Sequence, residues 1–474
     1  MYKVKKDLFI FNSLLPKNTE YSLVDLFIAF KKANKEIYLV GGCVRDLLLN
    51  KIPKDYDLCT NATPEEVKVL LNNPIYKTYD SGIKHGTITV TDSKYHQIYE
   101  ITTYRFDGKY SDNRHPDKVD FTTSLEEDLK RRDFTINSFA YNCLTQELVM
   151  LDESFLKDLE FGIIKTVGDP AQRYEEDALR MLRCLRFSAQ LNFSIEKYTY
   201  KTISMCGPLL KNISKERIRD ELTKIILSDN PQVLELLVLS NIEEYLFDDL
   251  CLLTGILKCD HCNPYHYTDV FHHTMDVIKA VPKKFEIRFA ALFHDLGKPF
   301  VKQYKEGYVD RFCFHGHEEV SADLALQLMN VLKFSNDQKE LIYKYVKYHD
   351  FSLSSCKLSR FKKVVADIGK ENFLDFMKLR KADSAAHRLL QGTDYAIDAI
   401  DKVYSRFADL LENEKALTIK DLDINGYDLM SLGFEGKQIG DCLNYLLDQV
   451  LEEILENNKE KLLEKAKTYK ISAV

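Results

Sequence analysis

Asp55 and Asp57 stand two positions apart, downstream of a strand-like run that ends in Gly41-Gly42. Nine of the chain's twelve histidines lie between His261 and His387. Each pattern points to its own chemistry. In a strand, residues i and i+2 face the same way, so Asp55 and Asp57 are expected to project together, and like charges held so close favour a cation between them. Hard oxygen ligands of this kind suit Mg2+, which combines one or two carboxylates with waters and substrate phosphates. A pair of such ions can clamp both the attacking and the leaving oxygen of a phosphoryl transfer. The run YLVGGCVRDLLL reads as strand, glycine pair, helix, an order that lets backbone amides approach a phosphate at the helix start. Further on, LKRRDFTIN sets Arg131, Arg132 and Asp133 ahead of an apolar stretch, giving donors for phosphate and an acceptor for a sugar hydroxyl. Taken one at a time, each has a plainer reading: a solvated turn, an exposed charge cluster, an ordinary surface ion pair.

The elements that must position these residues follow from hydrophobic periodicity. A helix over 23–32, a strand over 36–40, a short helix after Gly42 and strands near 85–91 and 97–103 make a small α/β unit. From about residue 150 strand signals fade and amphipathic helical segments take over, among them 178–189, 216–227 and 232–246. Turn formers at Gly168-Asp169-Pro170, Gly207-Pro208 and Asn263-Pro264, and the charged run at 412–415, mark hinges. A chain of 474 residues suits roughly three domains. The hydrophobic share of 45% and charged share of 29% are those of a folded chain rather than a disordered one. A net charge of −7 gives no overall attraction to nucleic acid, so any such contact must rest on local patches. The absence of a long apolar run or a signal-peptide pattern predicts a cytoplasmic protein without membrane contact. Eleven scattered cysteines read as free thiols in a reducing compartment, and the lone Cys259/Cys262 pair lacks the second pair of a zinc site.

These motifs carry a resemblance. GGCVRDLLL with DYDL resembles the nucleotidyltransferase motif of the class II tRNA nucleotidyltransferase and bacterial poly(A) polymerase family, which has a polymerase-beta-like head. RRDFTIN, EEDALR and ISKERI resemble further motifs of that family, and DINGYDLMSLGFEGKQIG resembles its C-terminal region. The resemblance implies an α+β catalytic head over 1–147, a helical neck over 148–232 that reads base and ribose, a helical body over 233–410 and a helical tail over 411–474 that contacts tRNA. It makes Asp55 and Asp57 the catalytic Mg2+ ligands, with Glu100 able to add a third acid. Gly41, Gly42, Arg45, Arg132, Asp133 and Asn137 become nucleotide-binding, as do Asp177, Arg180, Arg183 and Arg186. It also implies CCA addition from CTP and ATP on tRNA rather than DNA, with a poly(A) polymerase or a split CC- or A-adding enzyme as alternatives sharing every motif. Asp177 and Arg180, three apart and expected on one helix face, would act as a template. Ionised Asp only accepts and Arg only donates, which matches the edge of cytosine and adenine and opposes that of guanine and uracil. Residues 104–116 resemble the family's mobile loop, and Lys197, Lys211, Lys215 and Lys465 are candidates to track the acceptor stem.

In the second half His273, His294-Asp295, His317, His349 and Asp383 form the order H...HD...H...H...D, which resembles the HD phosphohydrolase superfamily. A mixed nitrogen and oxygen set suits Mn, Ni, Fe or Mg, and such a metal can activate water against a phosphate ester. On this reading His273, His294, Asp295 and Asp383 hold one ion, while His317 and His349 touch a second ion or the phosphate. His266, His272, His315 and His387 are expected to be bystanders. A rival reading makes this half the working enzyme and the first half an RNA-binding module.

Overall fold

The computed structural model describes residues 1–5, 15–107, 119–262, 268–307, 311–387, 393–413 and 418–472. The chain forms two compact units, 1–249 and 250–474.

The first unit is built on an eight-stranded sheet. Its strands are β1 (Tyr2–Lys5), β2 (Ile37–Val40), β3 (Asp57–Thr60), β4 (Tyr76–Gly82), β5 (Thr87–Asp92) and β6 (Gln97–Thr103), then, after a separate hairpin of β7 (Arg105–Asp107) and β8 (Val119–Phe121), β9 (Phe139–Asn142) and β10 (Glu147–Met150). The strand order is β1-β10-β9-β2-β3-β6-β5-β4. All four residues of β2 are buried, as its unbroken IYLV requires of a central strand covered on both faces. The helix Lys17–Lys32 buries Leu23, Leu26, Phe27 and Phe30, a helical apolar stripe. The sheet runs to residue 150, past the expected head boundary at 147.

The region after the head is mostly helical as expected, with 178–189 and 216–227 in the helices Leu179–Leu191 and Lys215–Ile226, but one expected helix is broken. The segment 232–246 is a one-turn 3-10 helix and two short helices, Leu234–Leu239 and Glu243–Leu246, separated at Asn241, whose φ of 55° no helix accommodates. Residues 233–249, expected to open the body, pack within the first unit.

The second unit is almost wholly helical. The helices Val270–Ala280, Phe285–Phe293, His317–Val331, Asn336–Tyr348 and Lys370–Ala386 carry or adjoin the clustered histidines and aspartates. Toward its end Leu429, Phe434, Cys442, Leu446, Leu462 and Ala466 form a separate small core. No helix among the described residues is long and apolar enough to cross a membrane.

Candidate functional sites

In the head, β2 delivers the chain into Gly41, whose φ of +73° favours glycine, and the helix Gly42–Leu48 follows at once. A Cβ on Gly41 would also lie 3.2 Å from Arg132 Nη1, so the backbone favours glycine and the space beside it is tight. Asp57 opens β3 and sits opposite Glu100 of the parallel strand β6. Asp55 lies in the bend before β3 rather than in the strand, so alternation along a strand is not what brings the two acids together. They couple through charge instead. Partial desolvation, then Glu100 and Asp55, push the Asp57 carboxyl above its ordinary value, against the pull of Arg132. A carboxyl whose ionisation two neighbouring acids oppose is the environment a divalent cation relieves. Their oxygens are less closely gathered than those of the second unit, which holds every described group of three ligand atoms lying within 4.8 Å of one another.

Around Asp133 the expected nucleotide-binding residues converge into one network. Asp133 Oδ2 accepts from Arg183 Nε at 2.9 Å and Nη2 at 2.5 Å, while Oδ1 accepts from Asn137 Nδ2 at 3.1 Å. Asn137 Oδ1 in turn accepts from Arg45 Nη1 at 2.8 Å. Burial opposes a charge on Asp133, but Arg183 and Asn137 outweigh it and hold the carboxyl well below the usual range. Arg45, Arg183 and Arg186 gather over the ring of Phe187 at 5.2, 5.4 and 4.2 Å. Burial, then the neighbouring Arg183, push Arg186 down to about 10 even with Glu221 at 3.1 Å. Each guanidinium is paired with an acid, Arg45 with Asp46 at 2.7 Å, Arg183 with Asp133 and Arg186 with Glu221, which fixes the three side chains in place.

Asp177 and Arg180 do not share a helix. The helix Pro170–Glu176 ends before Asp177, which is extended (φ −145°, ψ 102°), and the next helix is Leu179–Leu191. The physical reason is local: Asp177 Oδ1 accepts from Leu179 N at 3.1 Å, so its side chain competes with the helical ladder. Arg217 Nη2 holds the other oxygen at 3.3 Å. Arg180 is largely engaged, by Glu176 Oε2 at 2.5 Å, Arg173 O at 3.1 Å and Arg131 O at 3.0 Å. Its Nε has no partner among the described residues. Arg217 and Glu221 are supports that the sequence reading missed, although both lie in or just after the ISKERI run. Residues 108–118, most of the expected mobile loop, lie outside the described residues, as does His266. Of the four candidate lysines, Lys215 is engaged by Asp248 at 2.6 Å, and Lys211 and Lys465 lie over tyrosine rings.

The second unit brings all six expected residues together. His294 and Asp295 lie in the turn after the helix Phe285–Phe293 rather than on it. His317 opens one helix, His349 ends another, and His273 and Asp383 project from two more. His294, His317 and His349 each place Nδ1 2.7–2.8 Å from the backbone carbonyl three residues earlier, so Nδ1 is the donor and Nε2 turns inward. His294 Nε2 lies 3.4 Å from His273 Nε2, and His317 Nε2 lies 3.1 Å from His349 Nε2. Asp295, 1% exposed, stands between the pairs: Oδ1 is 3.4 Å from His317 and Oδ2 is 3.1 Å from His294. Both of its oxygens are buried; Oδ2 has the Lys298 ammonium 2.7 Å away, while Oδ1 faces the imidazoles of His317 and His349. Inward lone pairs around a buried carboxylate fit divalent cations, and the donor set of nitrogen and oxygen fits Mn, Ni or Fe. Burial disfavours charge on His294 and His317, yet Asp295 holds both above their ordinary value, while burial and His317 push His349 down to about 3. His387, expected to be a bystander, stacks on His273 at 5.2 Å and lies 3.6 Å from Asp383.

Gly297 shapes this site. A Cβ there would fall 2.5 Å from His317 O and 2.7 Å from Ser321 N, both backbone atoms. Gly297→Ala is therefore expected to push the His317 helix away and destabilise the protein by about 1–3 kcal/mol, read as a lowered thermal midpoint.

The mixed sheet, the glycine turn beside three acids and the arginine network define a nucleotidyltransferase head followed by helical domains. Family models match in the same order: the poly A polymerase head domain over 37–165, the RNA- and SrmB-binding site of polymerase A over 192–253, and the tRNA nucleotidyltransferase domain 2 over 314–466. All three matches are to domains of tRNA nucleotidyltransferases and poly(A) polymerases, the proteins the chain resembles along most of its length. It is 48% identical over 215 residues to the CCA-adding enzyme of Leuconostoc mesenteroides, covering 45% of this chain and 52% of that protein. It is also 48% identical over 197 residues to the CCA-adding enzyme of Enterococcus faecalis, covering 42% and 48%. The matched region thus spans about half the length of these relatives. The crystal structure of the Bacillus stearothermophilus CCA-adding enzyme in complex with CTP superposes with a TM-score of 0.68 at 25% identity, over 97% of this chain and 99% of that one. Nucleotidyltransferases of this family use a divalent metal, which the acids of the head fit.

Proposed function

We propose that the chain adds CCA to the 3′ end of tRNA, consuming CTP and ATP and releasing pyrophosphate. The observation that carries this reading is Asp57 at the start of β3, opposite Glu100 of β6 and coupled by charge to Asp55, with Arg132 between Asp57 and the Gly41 turn. Bound Mg2+, held by Asp55 and Asp57, would neutralise charge on the reacting phosphate. Gly41, Gly42 and Arg132 take the triphosphate, Arg45 and Asn137 hold Asp133 toward the ribose, and Arg183 and Arg186 add positive charge. Asp177 and the Nε edge of Arg180 meet the base, accepting from its exocyclic amine and donating to its ring nitrogen. The name shared by the relatives and the CTP bound by the Bacillus protein support this reading. The free cysteines suit a reducing cytoplasm.

Transcripts of tRNA ending at the discriminator base, at C or at CC, each incubated with labelled CTP or ATP, test it. C is expected on the first two and A on the third alone. Open-ended A-tailing would instead indicate a poly(A) polymerase, and loss of one nucleotide a split enzyme.

A second reading is favoured by the buried cluster around Asp295. We infer a metal-dependent phosphohydrolase centre there, in which His273, His294, Asp295 and Asp383 would hold a divalent cation able to activate water, and His317 and His349 would meet a second cation or the phosphate.

A further inference from the structure

Asp128 lies on the helix Leu125–Lys130, whose Leu125 and Leu129 join Cys59 of β3 in one core. Its side chain is fully buried and carries a charge that the core does not need. One carboxylate takes both of the arginines that follow the helix. Oδ1 accepts from Arg131 Nε at 3.0 Å and Nη2 at 2.6 Å, while Oδ2 accepts from Arg132 Nη2 at 3.0 Å. Residues three and four positions on come round to the same side of a helical turn, so the spacing alone permits the double contact. Each arginine then serves the nucleotide site by another of its groups. Arg131 O accepts from Arg180 Nη2 at 3.0 Å, and Arg132 Nη1 faces Gly41, where a Cβ would lie 3.2 Å away. Arg132 Nε is buried without a partner, and Asp128 is the one carboxylate paired with this guanidinium among the described residues.

The competing partner is Asp57. Arg132 pulls on the Asp57 carboxyl through space, yet the two form no ion pair among the described residues. A guanidinium released from Asp128 would be drawn to Asp57, because a buried charge is costly without a counter-charge. It would then occupy the carboxylate that fits a metal.

We propose that Asp128 is a positioning residue for the triphosphate, holding Arg132 at the Gly41 turn and off Asp57, so that one group meets the phosphates and the other the metal. The assignment rests on the nucleotide-adding reading of the head. Asp128 touches no substrate in this scheme. Its own charge repels a triphosphate, so Asp128→Asn separates two effects by sign: lost position weakens nucleotide binding, and lost repulsion strengthens it.

The test uses the full chain with Mg2+. Calorimetry gives the affinities for CTP and for cytidine, which lacks the phosphates, and addition to a tRNA transcript ending at its discriminator base gives KM and the Mg2+ requirement. Asp128→Asn is expected to weaken CTP and raise its KM by about tenfold, with cytidine within about twofold. The Mg2+ concentration for half-maximal addition should rise by about threefold or more. Arg132→Met should weaken CTP as much, and adding Asp128→Asn to it should weaken CTP no further. If Asp128→Asn does not fold, Asp128→Glu, which keeps the charge but shifts it by one methylene, should weaken CTP by about threefold and leave cytidine alone. Equal weakening of CTP and cytidine would mean that Asp128 only supports the fold, and tighter CTP binding would mean that its charge opposes the ligand. Either result would overturn the assignment, as would additive weakening in the double variant or an unchanged Mg2+ requirement. Asp128-dependent CTP binding by a chain that adds nothing to tRNA would instead sink the proposed function and leave the assignment standing.

Discussion

Replacing Asp57 with alanine is expected to lower nucleotide addition to tRNA by about a thousandfold or more, with little change in thermal stability. The asymmetry follows from where the residue sits. Asp57 is at the exposed end of β3, while the core below it is carried by Leu58, Cys59 and Thr60. Its carboxyl is raised by partial desolvation and by Glu100 and Asp55, so removing it relieves repulsion in the free protein. What is lost is a ligand in the one place where three acids meet the glycine turn. Primer extension with radiolabelled CTP, beside a melting curve, separates the two effects. Retention of addition by this variant would move the chemistry elsewhere and favour the RNA-binding reading of the first half.

The second large effect belongs to His294. His294→Ala is expected to lower Mn2+ affinity at the buried cluster by at least about a hundredfold and to abolish any phosphatase activity there, while CCA addition persists. His294 is fully buried, with its Nδ1 committed to Ala291 O, so Nε2 is the atom that meets a cation. Its proton is held above the ordinary histidine range by Asp295, as is that of His317. A metal must displace these protons, so Mn2+ affinity should rise with pH through and somewhat above the usual histidine range. Flat affinity from pH 6 to 8 would contradict the assigned ligands.

How much of this was legible in the sequence depends on how local each signal is. The strand, glycine pair and helix around Gly41 are written in consecutive residues, and they fold as read. The six metal-site candidates were found by residue type and order, and packing brings all six together. The Asp177–Arg180 pair is not a shared helix face because spacing alone does not reveal that an aspartate will accept from the backbone N–H two residues on and leave the helix between. Asp55 was assigned to a strand that begins two residues later. Lys298 and His261 were missed for a different reason: they meet across 37 positions, and no periodicity reports such a contact. Lys298 did carry a signal in retrospect, three residues after Asp295 in a turn whose Gly297 leaves no room for a side chain. His387 lay just beyond the expected set, yet stacking against His273 places it beside the cluster.

Under the proposed function, protein side chains at the head choose C twice and A once without a template. A tRNA transcript ending at its discriminator base, incubated with all four nucleoside triphosphates at equal concentration and then sequenced at its 3′ end, tests this directly. The expected product is a single CCA extension that stops. Incorporation of G or U, or growth beyond three residues, would contradict it.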